Sequence, residues 1–233
     1  MISIPYWLAE VGRMLNRAYY RQLLPRQCSR QGTHPQSWFD HRIDLYCAWP
    51  YNLFWMERGL YARRLMSKGC RVLDLCCGDG FFAYHFYASI AGHIDAVDVD
   101  PRAIEHAARL YSLPNIRWLV LDATSREFPA ERYDVVTMYE AVDHFSREQY
   151  RQVAARIRRA IGQTGVLVGS VGLSENAGQK GHWEHQNEFC QPEPLEQLLK
   201  EDFGLVTVEV TAFPLMGGGE RRTAHFVARN PDG

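Results

Sequence analysis

Short apolar runs rich in β-branched residues alternate with segments of helical period from residue 71 onward. Five such runs each precede a stretch long enough for a helix or a loop, and they cover residues 71–75, 94–99, 116–121, 133–138 and 166–171. This alternation predicts parallel strands joined by crossover helices, because parallel neighbours cannot be connected by a tight turn. The chain is therefore predicted to be an α/β protein with a doubly wound sheet.

Two further apolar runs close the chain, at residues 205–211 and 224–229. The link between them, FPLMGGGERR, has no helical pattern and contains three consecutive glycines. Such a link joins adjacent antiparallel strands. We therefore expect a C-terminal hairpin at the edge of the sheet, which brings the predicted number of strands to seven.

Aromatic and arginine-rich stretches precede the first of these runs. Within residues 6–24, a helix is predicted by apolar residues at helical spacing, namely Trp7, Val11, Met14, Leu15 and Ala18. Residues 1–70 hold ten basic and four acidic residues, whereas the rest of the chain holds 16 and 23. The helix either touches anionic lipid or RNA with its basic face or, as is commoner, packs as a cap. We expect a helical cap or lid over residues 1–69 and one α/β domain over residues 70–233.

The overall composition excludes several classes of protein. A formal net charge of −1 and 46% hydrophobic residues fit neither a polybasic nucleic-acid coat nor an acidic disordered chain. No apolar run reaches 18 residues, and Glu10 and Arg13 interrupt the apolar start, so we expect neither a membrane span nor a signal peptide. The adjacent Cys76 and Cys77 suit neither a zinc knuckle nor an unstrained disulfide. We expect reduced cysteines and a cytoplasmic protein.

A turn with two glycines follows the first predicted strand. Residues 72–83 read VLDLCCGDGFFA, in which Gly78 and Gly80 allow close approach of a ligand to the backbone before a helix begins. The same residues fit the dinucleotide fingerprint G-x-G-x-x-A. Asp74 and Asp79, however, would repel a pyrophosphate. The turn therefore favours a cationic ligand without phosphate, and S-adenosylmethionine, with its sulfonium and ammonium groups, is such a ligand.

The segment DLCCGDG at residues 74–80 resembles the first motif of class I S-adenosylmethionine-dependent methyltransferases, an acid followed by x-G-x-G-x-G. Cys76 stands in place of the first glycine. The resemblance extends over about residues 70–172 and implies a Rossmann-like sheet with strand order 3-2-1-4-5-7-6, whose seventh strand is antiparallel. It implies S-adenosylmethionine as cofactor, bound by this motif through Asp74, Cys76, Gly78 and Gly80.

The second predicted strand ends in AVDVDP, which is similar to the family's G-V-D-x-S-P pattern. The resemblance implies that Asp98 binds the ribose hydroxyls, with Val99 beside it in the cofactor site. It aligns Asp100 with a helix-capping position, and ordinary capping before a proline explains that residue equally well.

The third predicted strand is followed by Asp122 and Ala123. The resemblance implies that the Asp122 carboxylate accepts from the adenine amino group and that the Ala123 backbone N–H serves a ring nitrogen. Tyr139, at the end of the fourth strand, completes the expected cofactor-binding set. A single carboxylate at the end of a strand is more often a turn former, but three at the ends of the first three strands, with a glycine turn after the first, favour a cofactor site.

Residues 139–145, YEAVDHF, are similar to the V-L-E-H segment of many small-molecule members of the family. His144 is thus a candidate general base, with Glu140 and Asp143 as candidates to orient it. A histidine at this position that only caps or packs is an alternative of at least equal weight.

A long polar segment, residues 173–191, follows the fifth strand and has the character of a specificity loop. We expect His182, Trp183 and His185 to contribute to an acceptor pocket. His182 and His185 with Glu184 or Glu188 would suit a metal, but no further ligand stands at a diagnostic spacing, so no metal site is predicted. Residues 38–46 resemble the N-terminal lid of family members, with aromatic rings that either cover the cofactor or fill the core.

Together these patterns predict methyl transfer to a small-molecule hydroxyl or amine. The fourth strand lacks the N/D-P-P-Y/F motif of nucleobase N-methylation, and no RNA-binding module or DNA-binding pattern is present. Three alternatives remain: a noncatalytic cofactor-binding scaffold, an RNA methyltransferase using the basic N-terminal segment, and a nicotinamide-dependent oxidoreductase. Asp79 and the lack of a Tyr-x-x-x-Lys pair disfavour the oxidoreductase. Oligomeric state is left open.

Overall fold

A computed structural model describes residues 6–18, 53–175, 184–214 and 219–231, together with positions 22 and 26. The chain divides into two compact units, residues 1–55 and 56–233. In the first unit, α1 spans Tyr6–Ala18 and confirms the predicted N-terminal helix. The predicted lid at residues 38–46 lies outside the described residues, and the role of residues 1–69 as a cap stays a prediction.

The second unit contains a seven-stranded sheet, whose strands are β1 Arg71–Leu75, β2 His93–Asp98, β3 Ile116–Val120, β4 Val135–Tyr139, β5 Val166–Leu173, β6 Leu205–Pro214 and β7 Glu220–Arg229. Their order across the sheet is β3-β2-β1-β4-β5-β7-β6. Strands β1 to β5 are parallel, and β7 runs antiparallel to both β5 and β6. This order and the closing hairpin confirm the predicted Rossmann-like architecture.

The described helices after α1 are α2 Leu53–Arg63, α3 Pro101–Leu110, α4 Arg147–Ile161 and α5 Pro192–Lys200, with a π-helical turn at Ala83–Tyr87 and a 3-10 turn at Val142–His144. Two of them begin at a residue whose side chain caps the helix. The Asp100 side chain accepts from the backbone N–H of Arg102 at the start of α3, and Ser146 forms a capping box with Gln149 at the start of α4. Among the described residues no helix is both long and apolar enough to cross a membrane.

The central strands are buried on both faces, as expected when helices cover a parallel sheet. Asp74 of β1 pairs in register with Thr137 of β4, and Leu75 pairs with both Val97 of β2 and Met138 of β4. The carboxyl ends of β1, β2 and β4 therefore meet at one edge of the sheet. In open α/β sheets this edge carries the ligand.

Strand β2 ends at Asp98, one residue before the predicted end. The cause is local, because the Asp98 carboxylate accepts from the backbone N–H of Asp100 at 2.9 Å and turns the chain toward α3. Val99 consequently lies outside the strand and is 66% exposed. The hairpin strands are longer than predicted, because pairing between β6 and β7 extends through Pro214 and Glu220.

Candidate active site

The glycine turn after β1 has the backbone geometry that its sequence predicts. Gly78 and Gly80 have positive φ values of 54° and 77°, and Cys76 also has a positive φ of 58°. A cysteine rarely adopts this left-handed conformation, so the substitution for glycine places strain at the first position of the turn. The motif is thus built as in a glycine-containing turn even where glycine is missing.

Asp79 is buried inside this turn, and its Oδ1 accepts from the backbone N–H of Phe81 at 3.1 Å. This N–H belongs to the first turn of the following helix, where a bound phosphate usually takes its hydrogen bonds. Asp79 therefore satisfies a donor that a pyrophosphate would need and adds a negative charge there. The expected preference for a cationic ligand thus has two causes: the negative charge of the turn and the loss of a backbone donor that a phosphate would use.

Asp74 lies within β1 and is 4% exposed. Its Oδ1 accepts from the Thr137 hydroxyl at 2.6 Å, whereas its Oδ2 is buried and has no hydrogen-bond partner among the described residues. Burial, together with the charges of Asp98 and Asp79, raises the pKa of this carboxyl to about 7, although the Thr137 hydrogen bond opposes the rise. A buried oxygen without a donor fits an ammonium group, so this residue suits the amino end of S-adenosylmethionine.

Asp98 joins the glycine turn to the turn after β2. One carboxylate oxygen accepts from the Gly78 backbone N–H and the other from that of Asp100, both at 2.9 Å. Burial raises its pKa, and these two backbone donors oppose the rise. Asp98 thus has a structural role that the sequence did not reveal, and its contact with a ribose stays a prediction. The predicted capping role of Asp100 is confirmed.

Asp122 follows β3 and is bonded to its own turn. Its Oδ1 accepts from the backbone N–H and the hydroxyl of Thr124, and its Oδ2 accepts from the Ser125 hydroxyl. These hydrogen bonds hold the pKa of the carboxyl below its usual value. The turn-forming alternative is therefore realised at this position, while the adenine contacts expected of Asp122 and of the buried Ala123 stay predictions.

Tyr139 and Glu140, at the end of β4, both contact Arg58 of α2. The Tyr139 hydroxyl donates to the Arg58 carbonyl at 2.9 Å, and Glu140 Oε1 lies 2.5 Å from the Arg58 guanidinium. Arg58 is 1% exposed, and burial lowers its pKa to about 10 although Glu140 opposes this. Sequence reasoning missed Arg58, because nothing distinguishes it from its many arginine neighbours. Glu140 thus pairs with this arginine, and its role in orienting His144 stays a prediction.

Histidine and carboxylate side chains meet beyond the end of β4. Asp143 Oδ2 lies 3.2 Å from His185 Nε2, and His185 Nδ1 lies 2.7 Å from Glu188 Oε1. The His144 and His185 rings meet edge to face at 4.9 Å between centroids. We call Asp143, His144, His185 and Glu188 the acceptor cluster, and residues 74–80, 98–99 and 122–123 the cofactor rim.

The loop that carries His185 is tied to β4's end by its backbone. Asp143 O accepts from the N–H groups of Gln186 and Asn187 at 2.7 and 3.0 Å, and the Asn187 side chain donates to Phe145 O at 2.6 Å. These bonds fix His185 beside His144 although 41 positions separate them. Of the residues predicted to line an acceptor pocket, His185 is thus brought to the cluster, while His182 and Trp183 lie outside the described residues.

Burial also perturbs the cluster electrostatically. Asp143 is 3% exposed, and burial raises the pKa of its carboxyl above the ordinary value for an aspartate. The charge of Glu140 raises this pKa further, and His185 opposes the rise. Perturbed carboxyls of this kind concentrate at functional sites, particularly where imidazoles are adjacent.

Comparison with known proteins agrees with this geometry. Residues 72–165 match the family model described as a methyltransferase domain. The chain is 36% identical over 84 residues to ribosomal protein L11 methyltransferase of Dechloromonas aromatica, a match that covers 36% of this chain and 26% of that protein. The match thus spans about a quarter of the relative's length.

Two solved structures share the fold. YcgJ of Bacillus subtilis is 17% identical with a TM-score of 0.60, covering 75% of this chain and 98% of its own. The N-methyltransferase NodS of Bradyrhizobium japonicum is 23% identical with a TM-score of 0.59, covering 77% and 98%. The family match over residues 72–165, the strand order and the glycine turn support the predicted class I S-adenosylmethionine-dependent methyltransferase domain. The same findings support S-adenosylmethionine as its cofactor.

Proposed function

We propose that the protein transfers the methyl group of S-adenosylmethionine to a hydroxyl or amine of a small molecule. The observation that carries this proposal is the adjacency of two sites at the carboxyl ends of the neighbouring strands β1 and β4. The first is the acidic cofactor rim, and the second is the acceptor cluster with its two imidazoles. A methyl donor and a group that activates an acceptor are needed side by side for this reaction.

In the proposed complex, the cofactor rim binds each part of S-adenosylmethionine with a different residue. The unpartnered Oδ2 of Asp74 pairs with the ammonium group. The turn from Cys76 to Gly80 lies against the cofactor through its backbone. Asp98 and Val99 contact the ribose, and Tyr139 bounds the site through its ring, which packs on Phe82 with 5.7 Å between centroids.

The adenine is proposed to lie beside the turn after β3. Asp122 accepts from the adenine amino group with lone pairs that its own turn leaves free, since a carboxylate offers about four acceptor positions. The Ala123 backbone N–H donates to a ring nitrogen. Asp122 therefore keeps its turn and contacts the base at the same time.

Methyl transfer from a sulfonium is an in-line displacement. The acceptor's lone pair forms a bond to the methyl carbon while the carbon–sulfur bond breaks, and S-adenosylhomocysteine leaves as a neutral thioether. A hydroxyl acceptor must also lose its proton, and an ammonium acceptor must lose one beforehand. We propose that His144, in the acceptor cluster, assists this loss. The enzyme's remaining task is alignment of the acceptor and exclusion of water.

We further propose that the protein works in the cytoplasm. Among the described residues, Cys70, Cys76, Cys77 and Cys190 are free thiols, and burial raises the pKa of the first three. A raised pKa keeps a thiol protonated and unreactive. Free thiols are typical of proteins in a reducing compartment, where disulfides do not contribute to stability.

Incubation with methyl-labelled S-adenosylmethionine tests the acceptor class. The full chain is offered three acceptor sets in parallel: a panel of small hydroxyl and amine metabolites, total RNA, and ribosomal protein L11. We expect label in the low-mass fraction, and substantially less with His144→Gln. Label confined to RNA or to protein would overturn the small-molecule proposal. Cofactor binding without transfer to any set would favour the noncatalytic scaffold.

A further inference from the structure

The acceptor cluster has the composition of a metal-binding site. Asp143, His144 and His185 each offer one ligand atom, and these atoms all lie within 4.8 Å of one another. We propose that these three side chains bind one divalent first-row transition metal ion, such as Zn²⁺ or Fe²⁺. Imidazole nitrogen and carboxylate oxygen are ligands of this class of ion, and three protein ligands leave a position open for a substrate oxygen.

Glu188 holds His185 in the orientation that a metal ligand requires. Glu188 Oε1 lies 2.7 Å from His185 Nδ1, and the other Glu188 oxygen accepts from the Ser174 hydroxyl at 2.5 Å. A neutral imidazole that donates from Nδ1 to this carboxylate presents a lone pair at Nε2. Metal-bound histidines commonly have such a carboxylate behind them, and it fixes the tautomer and the direction of the ring.

The lone pair at His185 Nε2 faces another acceptor. Asp143 Oδ2 lies 3.2 Å from this nitrogen, so two acceptors point at one another when the Nδ1 hydrogen is given to Glu188. A cation between them satisfies both.

The other oxygen of Asp143 supplies an independent observation. Asp143 is 3% exposed, and its Oδ1 is buried with no hydrogen-bond partner among the described residues. Its backbone oxygen meanwhile receives two N–H groups from the loop carrying His185. The structure thus anchors the backbone of Asp143 while leaving one oxygen of its carboxylate unsatisfied, an arrangement that is costly unless a cation pairs with it.

The use of the ion in catalysis rests on the proposed function, whereas its binding does not. A bound ion at the end of β4 would coordinate the acceptor oxygen and lower its pKa, so that the proton passes to water before the methyl group is transferred. A nitrogen that binds an ion cannot also take a proton. His144 would then assist the acceptor through the ion and not as a general base.

Calorimetric titration of Zn²⁺ into the full chain, stripped of metal with a chelator and kept reduced, tests the site. We expect one ion per chain with a dissociation constant in the micromolar range or below. Asp143→Asn and His185→Gln should each weaken binding at least 30-fold, and Glu188→Gln should weaken it about 10–100-fold. The matched control is His93→Gln, which removes another histidine paired with an aspartate, at 2.9 Å from Asp95, and should leave binding unchanged.

Co²⁺ alone gives a spectroscopic readout that excludes binding by cysteine. We expect visible bands of a nitrogen- and oxygen-bound ion without a thiolate charge-transfer band, and loss of these bands in Asp143→Asn. Absence of binding by the wild-type chain, unchanged affinity in both ligand variants, or a thiolate band would overturn the proposal. Metal binding is measured by these titrations, whereas methyl transfer is measured by the label-transfer assay. Failure of the metal site and failure of the proposed function are therefore distinguishable.

Discussion

The cofactor rim and the acceptor cluster lie at the same edge of the sheet but are built in different ways. In the cofactor rim, Asp122 bonds to its own turn, and Asp98 bonds to its own turn and to the glycine turn 20 positions earlier. In the acceptor cluster, His185 and Asp143 bond to each other across 42 positions. These rim bonds therefore lie within one turn or join the turns of two successive strands, whereas the cluster exists only once β4 and the loop after β5 are folded together.

The largest expected effect separates the two regions by function. His144→Gln should lower kcat by about 100- to 10,000-fold, because assistance to proton loss is worth about that much. The dissociation constant for S-adenosylmethionine should change by less than about twofold, since His144 is not part of the cofactor rim. Steady-state kinetics and calorimetry measure the two quantities, with His93→Gln as the control. A loss of cofactor affinity equal to the loss in kcat would contradict the separate roles of the cofactor rim and the acceptor cluster.

The sequence predicted more of the cofactor rim than of the acceptor cluster. The closing hairpin and the glycine turn follow from patterns a few residues long, the strand order follows from the family resemblance of the segment DLCCGDG, and the structure has all three. The proximity of His185 to His144 was not predictable from spacing, because it depends on backbone bonds between two distant segments. The pairing of Arg58 with Glu140 was not predicted from the sequence either, because only tertiary packing distinguishes this arginine from its neighbours.

The second prediction concerns the cost of the rim's buried charge. Asp74→Asn should weaken binding of S-adenosylmethionine by about 1–3 kcal/mol, because the ammonium loses its charged partner. The same change should stabilise the ligand-free protein at pH 8 by about 1–3 kcal/mol, because burial of the charged carboxylate no longer opposes folding. Calorimetry and denaturant unfolding measure these opposite effects.

A matched control for this variant is Asp134→Asn. Asp134 lies at the other end of the central strands, where its carboxylate accepts from the Arg71 backbone N–H. Its replacement should leave cofactor affinity unchanged. If both variants weakened the cofactor equally, the specific role of Asp74 would be refuted.

The third prediction tests the glycine turn itself. Gly80 has a φ of 77°, and an added Cβ would overlap the Trp118 ring, whereas Gly69 has a φ of 81° with nothing within 4 Å of the added atom. Gly69→Ala should cost only the conformational strain, about 1 kcal/mol, while Gly80→Ala adds a steric cost of about 1–3 kcal/mol. Denaturant unfolding of both variants measures the difference. Equal losses would show that the indole moves aside without cost.

The smallest expected effect is on pH dependence. Burial places the pKa of Asp74 at about 7 in the ligand-free protein, above the ordinary value for an aspartate. The folded state thus binds this proton more tightly than the unfolded chain, so the contribution of Asp74 to stability is present below about pH 4 and is lost as the pH rises through 7.

Cofactor affinity should change with pH in the opposite direction. The ammonium pairs with the charged carboxylate, so affinity should rise by up to about tenfold per pH unit toward pH 7. Above about pH 8 it should fall, because an α-amino group loses its proton there. Calorimetry at several pH values measures this profile, and Asp74→Asn should flatten its acidic limb. An acidic limb that persists in the variant would assign the titration to another group.

We propose that the cofactor rim selects a cation and rejects a pyrophosphate. Calorimetric titration of the wild-type chain with S-adenosylmethionine and, separately, with NADH under the same conditions tests this selectivity directly. We expect one S-adenosylmethionine bound per chain and no measurable heat of binding for NADH. Saturable binding of NADH, with none for S-adenosylmethionine, would contradict it.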